Sequence, residues 1–280
     1  MPTEPETRPA SVPDTRFGLD AYSPREIAAR VDEVGVAKAR LPLASVFLLG
    51  VLAGAFIGLG AVMFTLVASD ATLGFAATRL VGGLAFSLGL VMVSVAGAEL
   101  FTGNNLLAMA WASGRLSTGE VLRNWFVVCA ANAVGAAGLA LLVWASGHFA
   151  MNDGAVGRAA VRIALAKATM PWGEAFFRGV LCNLLVCMAV WMAFAGRTVV
   201  DKVLAIVFPI TAFVAAGFEH SVANLYFLPA AMLLGAPIGV DAIAGNLVPV
   251  IAGNLVGGSV LVAGVYWAIY LRPGARSTAR

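Results

Sequence analysis

The chain has 280 residues, 60% of them hydrophobic and only 12% charged, with a mean hydropathy of +0.90. A soluble domain carries about 25% charged residues, so lipid is the solvent for most of this surface. The net charge of +3 comes without a basic cluster interleaved with aromatics, which excludes nucleic acid as a partner.

Residues 1–17 are rich in Pro, Thr and acidic residues and lack a basic start followed by an apolar run. They read as a disordered tail and not as a signal peptide. Ser23-Pro24-Arg25-Glu26 is a helix start, with a capping Ser, Pro at the first helical position and Glu three residues after the cap. Ile27, Val31 and Val34 alternate with Arg30, Asp32, Glu33 and Lys38, so the segment to Arg40 is amphipathic and is expected on the cytoplasmic membrane surface. Residues 1–40 thus form a tail plus surface helix, 41–271 a membrane domain and 272–280 a second tail.

Six apolar segments follow, at roughly 41–68, 80–112, 120–146, 173–195, 200–234 and 244–271. Charge-free runs at 41–69 and 242–271 each exceed the ~20 residues that cross a bilayer. Arg115, Arg123, Arg197, Lys202, Arg272, Arg276, Arg280 and the basic residues of the amino-terminal tail lie on one side. Arg79, Arg158, Arg162, Lys167 and Arg178 lie on the other. This bias places both termini in the cytoplasm, with the chain multi-pass in the inner (plasma) membrane. Gly50, Gly54 and Gly58 fall on one face of the first span and predict a close helix–helix seam. Cys129, Cys182 and Cys187 sit in apolar runs without CxxC spacing and read as small packing residues.

Ala96-Gly97-Ala98-Glu99 followed by Asn104 recurs as Ala216-Gly217-Phe218-Glu219 followed by Asn224. Asn132-Ala133-Val134-Gly135 recurs as Asn254-Leu255-Val256-Gly257. The same order in both halves argues for duplication of a three-span unit. Three is odd, so the second unit is inverted, and the site is expected where the halves meet near the midplane. Spans two and five each carry a glycine, a glutamate and a polar run in mid-membrane, which marks them as interrupted helices. Irregular backbone at that depth is tolerated only against protein or along a water-lined path. These observations point to a pore.

Three blocks resemble the formate/nitrite transporter family over residues 22–272: Gly97-Ala98-Glu99-Leu100-Phe101-Thr102-Gly103-Asn104, Asn183-Leu184-Leu185-Val186-Cys187-Met188-Ala189-Val190-Trp191-Met192, and Gly217-Phe218-Glu219-His220-Ser221-Val222-Ala223-Asn224. The closing stretch from Asn246 and the loop Ala112-Ser113-Gly114-Arg115 look most similar to the formate channels, while Thr102-Gly103-Asn104 also resembles the nitrite branch. The resemblance implies an all-α, aquaporin-like fold of six spans, a homopentamer with one pore per protomer, and passage of a small monovalent anion or its conjugate weak acid. Formate is the expected substrate, with nitrite and hydrosulfide as alternatives. No cofactor, metal or enzymatic step is implied.

His220 is one of two histidines and lies within span five, where an ionisable residue is a functional candidate. The resemblance makes it the pore histidine and Thr102 its facing partner. The imidazole either stabilises a passing anion, with Thr102 adding a hydrogen bond, or transfers a proton so that the neutral acid crosses. Lys167 reads from its apolar neighbours as an interfacial, snorkelling lysine, and the resemblance places it in the outer vestibule. Asn183 matches a pore-proximal asparagine expected to hold the histidine or the lysine. Glu99 and Glu219, with Asn104 and Asn224, are expected as scaffold, capping the interrupted helix ends or binding backbone amides there. Phe86, Leu90 and Val186 resemble an outer constriction, Leu100 and Phe101 adjoin Thr102 on the inner side, and Phe213 is expected two helical turns outward from His220. A hydrophobic ring of this kind excludes hydrated ions and passes small neutral species.

Rival classes lack their residues. No paired Asn-Pro-Ala motif supports a water pore, and no HExxH or GxSxG motif supports a membrane hydrolase. A purely structural scaffold leaves the mid-membrane Thr, His and Asn set without a use.

Overall fold

The computed structural model describes residues 21–272. The expected tails at 1–20 and 273–280 lie outside the described residues. Among the described residues the secondary structure is entirely helical. Six stretches are long and apolar enough to cross a membrane: Leu43–Ala68, Phe75–Gly97, Thr118–Ala145, Trp172–Ala193, Val199–Ala216 and Val240–Tyr270. The second and fifth stop short and resume after a break as shorter pieces, at 103–112 and at Ser221–Leu233. The expected spans at 80–112 and 200–234 are therefore each two half-helices.

An even number of crossings leaves the Pro24–Ala39 helix and the end of the sixth span on one face, here called the terminal face. Glu26 starts that helix as the sequence predicts, its carboxylate accepting from Ser23 N at 2.8 Å and Ser23 Oγ at 2.7 Å. The helix is docked by its buried residues Ile27, Ala28 and Val31. Asp32 pairs with Arg115 at 2.7 Å, and Tyr22 N donates to the Ala195 carbonyl at 3.0 Å. The far face holds the helix Ala155–Ala168, between the expected third and fourth spans. Its alanine-rich periodicity buries Val156, Ala159, Ala160 and Ala164 on one side. Each half of the chain is thus a surface helix, a span, a broken span and a third span.

The halves are built alike at close range. Gly54 lies against the carbonyl of Asn132, and Gly135 against the carbonyl of Val51, so spans one and three touch backbone to backbone. Gly253 and Gly257 of span six meet the carbonyls of Phe176 and Val180 of span four in the same way. The Gly50, Gly54 and Gly58 face is the packed seam that their spacing predicts, closing on Ala131, Asn132 and Leu139. Large apolar side chains such as Leu48, Phe126 and Phe208 remain outward, a surface suited to lipid or to neighbouring copies.

Gly54→Val puts a branched side chain against backbone that cannot yield. The expected cost is about 3 kcal/mol, read as a lower Tm of the detergent-solubilised protein. An unchanged Tm would show that the seam can open without loss.

Candidate substrate pathway

Span two ends in a π-helical turn, Val93–Gly97, and Gly97 takes φ +83°, where a side chain would be strained. Ala98 is extended, and helix resumes at Gly103. Span five ends at Ala216, Gly217 takes φ +78°, and helix resumes at Ser221 after an extended His220. Each break strips backbone groups of helical partners at membrane depth, where an unmatched group costs several kcal/mol.

One asparagine repairs each break. Asn132 of span three donates to the carbonyls of Gly50 at 2.7 Å and Glu99 at 2.9 Å, and accepts from Phe101 N at 2.9 Å. Asn254 of span six donates to the carbonyls of Gly179 at 2.8 Å and Glu219 at 3.0 Å, and accepts from Ser221 N at 3.0 Å. The amides of Glu99 and Glu219 donate to the carbonyls of Leu49 and Arg178, both at 3.2 Å. Asn132 and Asn254 entered the sequence reading only as marks of the repeat, yet they hold both breaks in place.

The two glutamates do not cap helix ends or bind amides there, as the sequence reading expected. Glu99 pairs with Lys38 at 3.0 Å and accepts from Asn104 at 2.6 Å, and Asn104 donates onward to Asn124 at 3.0 Å. Glu219 pairs with Lys167 at 2.8 Å and accepts from Asn224 at 2.7 Å, and Asn224 donates onward to Asn246 at 2.7 Å. A buried carboxylate needs a counter-cation, and each takes the lysine at the end of the neighbouring surface helix. Lys167 is thus mostly buried and ion-paired, where its apolar neighbours suggest a snorkelling lysine. Lys38 was missed because it looked like one more charge on an amphipathic helix. The repeat contained the signal: Lys38 precedes Gly50 by the same spacing as Lys167 precedes Gly179.

Between these clusters, His220 Nε2 lies 3.0 Å from Thr102 Oγ1, across the meeting of the two breaks. His220 Nδ1 accepts from Ala223 N at 3.1 Å. A backbone N–H can only donate, so the neutral ring carries its proton on Nε2 and offers it to Thr102. Asn183 touches neither the histidine nor the lysine. It donates to the Thr102 carbonyl at 3.2 Å, to Asn105 Oδ1 at 2.7 Å and to the Asn254 carbonyl at 2.7 Å. Cys187, one turn further along span four, also donates to the Thr102 carbonyl at 3.3 Å, a polar role its apolar context concealed. Gly258, in the π-helical stretch Val256–Gly264, leaves room for Asn183, Asn105 and Cys187 to meet.

Two vestibules approach this centre from opposite faces. The terminal-face cavity, about 340 Å³, is lined by Lys38, Glu99, Leu90 and Leu100 among others. The far-face cavity, about 480 Å³, reaches His220 and carries Arg79, Arg162, Lys167, Arg178 and Glu219. Arg79 donates to the carbonyls of Val214 and Ala215, and Arg178 donates to the carbonyl of Gly217 and pairs with Glu174. Two of the four cations, Arg79 and Arg178, thus meet the negative end of span five, while Arg162 donates to the Ala68 carbonyl and Lys167 pairs with Glu219.

The apolar residues divide differently from the sequence expectation. Phe86 and Phe213 meet edge to face at 5.7 Å in the far-face cavity, while Leu90, one turn beyond Phe86, lines the terminal-face cavity with Leu100. Phe213 is not two turns from His220, because the helix ends in a turn at Gly217 and the two rings stack at 5.8 Å. Val186 and Phe101 are buried in the packed core and are absent from the lining of either cavity.

The chain matches the formate/nitrite transporter family over residues 25–268. It is 38% identical to the formate channel FocA of Escherichia coli (strain K12) over 274 residues, covering 91% of this chain and 96% of that protein. A solved structure described as a pentameric formate channel with formate bound is 39% identical, with a TM-score of 0.75 over 82% of this chain and 98% of its own. A second, described as an FNT family ion channel, is 32% identical, with a TM-score of 0.80 over 87% of this chain and 98% of its own.

Asn132→Ala and Asn254→Ala each leave two carbonyls and one amide unmatched in the core. Each is expected to destabilise the protein by about 3 kcal/mol, measured as thermal unfolding in detergent. A negligible shift in both would mean that water replaces the asparagine.

Proposed function

The chain belongs to the formate/nitrite transporter family, and we propose that it is a formate channel in which the anion and a proton cross together as the neutral acid, past His220 and Thr102. Family membership makes it a multi-pass membrane transporter and not an enzyme. The observation that carries the substrate pathway is the His220–Thr102 pair, a polar step set between apolar residues on both sides.

A carboxylate crossing the apolar zone bare loses hydration that nothing there replaces. The neutral acid avoids most of that penalty. Formate collects in a vestibule near its lysine, takes a proton from water, and passes Phe86 and Phe213 or Leu90 and Leu100 as formic acid. Of the two roles open to the histidine, the geometry favours the hydrogen-bond donor. Nδ1 is committed as an acceptor, and a proton added there would face the Ala223 N–H. The Nε2–H engages Thr102, which frees the threonine hydroxyl to donate to the passing acid. Glu99 and Glu219 do not repel formate, because each shares its charge with a lysine at 3.0 and 2.8 Å.

The terminal face carries the larger share of basic residues and is assigned to the cytoplasm, with the chain in the inner (plasma) membrane. The likeness to a pentameric channel supports a homopentamer, with one pathway in each protomer.

Formate flux into proteoliposomes, measured beside nitrite and hydrosulfide at external pH 5 to 8, tests the reading. Formate is expected to pass fastest, and faster as external pH falls. His220→Ala is expected to slow it by about tenfold, because Thr102 loses the donor that leaves its hydroxyl proton free for the passing acid. Exclusion of formate while nitrite or hydrosulfide passes would move the substrate, and no flux of any of the three would end the channel proposal.

A further inference from the structure

The terminal-face vestibule is lined by two cations, Lys38 and Lys202, and one carboxylate, Glu99. Glu99 is bound to Lys38 at 3.0 Å. Lys202 is half-buried, its backbone amide donates to the Thr198 carbonyl, and its side chain has no hydrogen bond or ion pair among the described residues. Its neighbour Asp201 is turned away from it, its carboxylate accepting from Arg197 N and Thr198 N, both at 2.9 Å.

Stability does not explain this placement. Lys202 is in the first turn of Val199–Ala216, where the unpaired amides carry partial positive charge and a cation is disfavoured. The repeat does not explain it either, because the matching position in the first half is Gly82. Across the membrane, Arg79 holds a similar place near the start of span two, but its guanidinium is engaged by carbonyls of span five. Lys202 keeps its ammonium available to what enters the vestibule.

We propose that Lys202 is the anion-admitting residue of the terminal-face vestibule, raising the local concentration of small monovalent carboxylates at the mouth of the pathway. The inference rests on the channel reading. A single unpaired charge at an apolar mouth attracts anions in a way that salt on that face screens. It is a positioning and selectivity residue, and it takes no part in moving the proton.

The test uses the full-length protein in sealed vesicles of defined orientation, with ionic strength raised on one face at a time by impermeant ions. Wild-type formate permeability is expected to fall by about threefold when salt on the terminal face goes from about 20 to about 500 mM. Lys202→Gln is expected to start at the lower value and lose that response, while its response to salt on the far face stays unchanged. In Lys202→Cys, a positively charged thiol reagent applied to the terminal face restores the flux and a negatively charged one lowers it further. Wild-type salt dependence in Lys202→Gln, or equal effects of the two reagents, would overturn the assignment. Absence of formate flux in the wild type would remove the channel reading and this inference with it, whereas normal wild-type flux with an inert Lys202 removes only the inference.

Discussion

Every feature of this pathway depends on two side-chain amides that replace broken backbone hydrogen bonds inside a membrane. A helix that stops at midplane exposes donors and acceptors to a medium with no water to receive them. Asn132 and Asn254 each supply one acceptor and two donors at such a point. Each also ties three elements together: its own span, the broken helix and the span in front of it. These bonds hold the irregular segments 98–102 and 217–220 in place, and that backbone aims Thr102 and His220 at one another.

The same economy governs charge. Burying a lone glutamate costs several kcal/mol, and burying it beside a lysine with amide donors costs much less. The Lys38–Glu99–Asn104–Asn124 and Lys167–Glu219–Asn224–Asn246 clusters repeat that solution on the two faces. A cation therefore stands at the inner end of each vestibule with its counter-charge held behind hydrogen bonds. The symmetry is incomplete where chemistry differs: His220 has Leu100 as its counterpart in the first half, and Thr102 has Val222. A duplicated scaffold thus holds a centre that only one half supplies with an imidazole.

Part of the site was legible in the sequence because lipid makes polar residues conspicuous. Thr102, Glu99, Asn104, Glu219, His220 and Asn224 stand out in apolar runs, and the recurrence of the glutamates and asparagines marks both breaks. Lys38 and the Ala155–Ala168 helix did not stand out. Amphipathic surface segments look alike whether they lie on a membrane or close a vestibule. The apolar lining was harder still, since Leu90, Val186 and Phe101 have the same chemistry whether they face a pore or a core.

The sequence alone determined the six spans, the duplication, the inverted relation of the halves and the two interruptions. These follow from hydropathy, from repeated residues and from the parity of three crossings. Only the tertiary structure decided which groups meet. It placed Phe213 on His220 through the turn at Gly217, gave Asn183 and Cys187 to the Thr102 carbonyl, and set Phe86 and Leu90 in opposite vestibules. The physical reason is that local pattern fixes where a helix starts, stops and turns its apolar face. The partner of a buried polar atom is set by distances between segments far apart in the chain, and those distances exist only once the seams have closed.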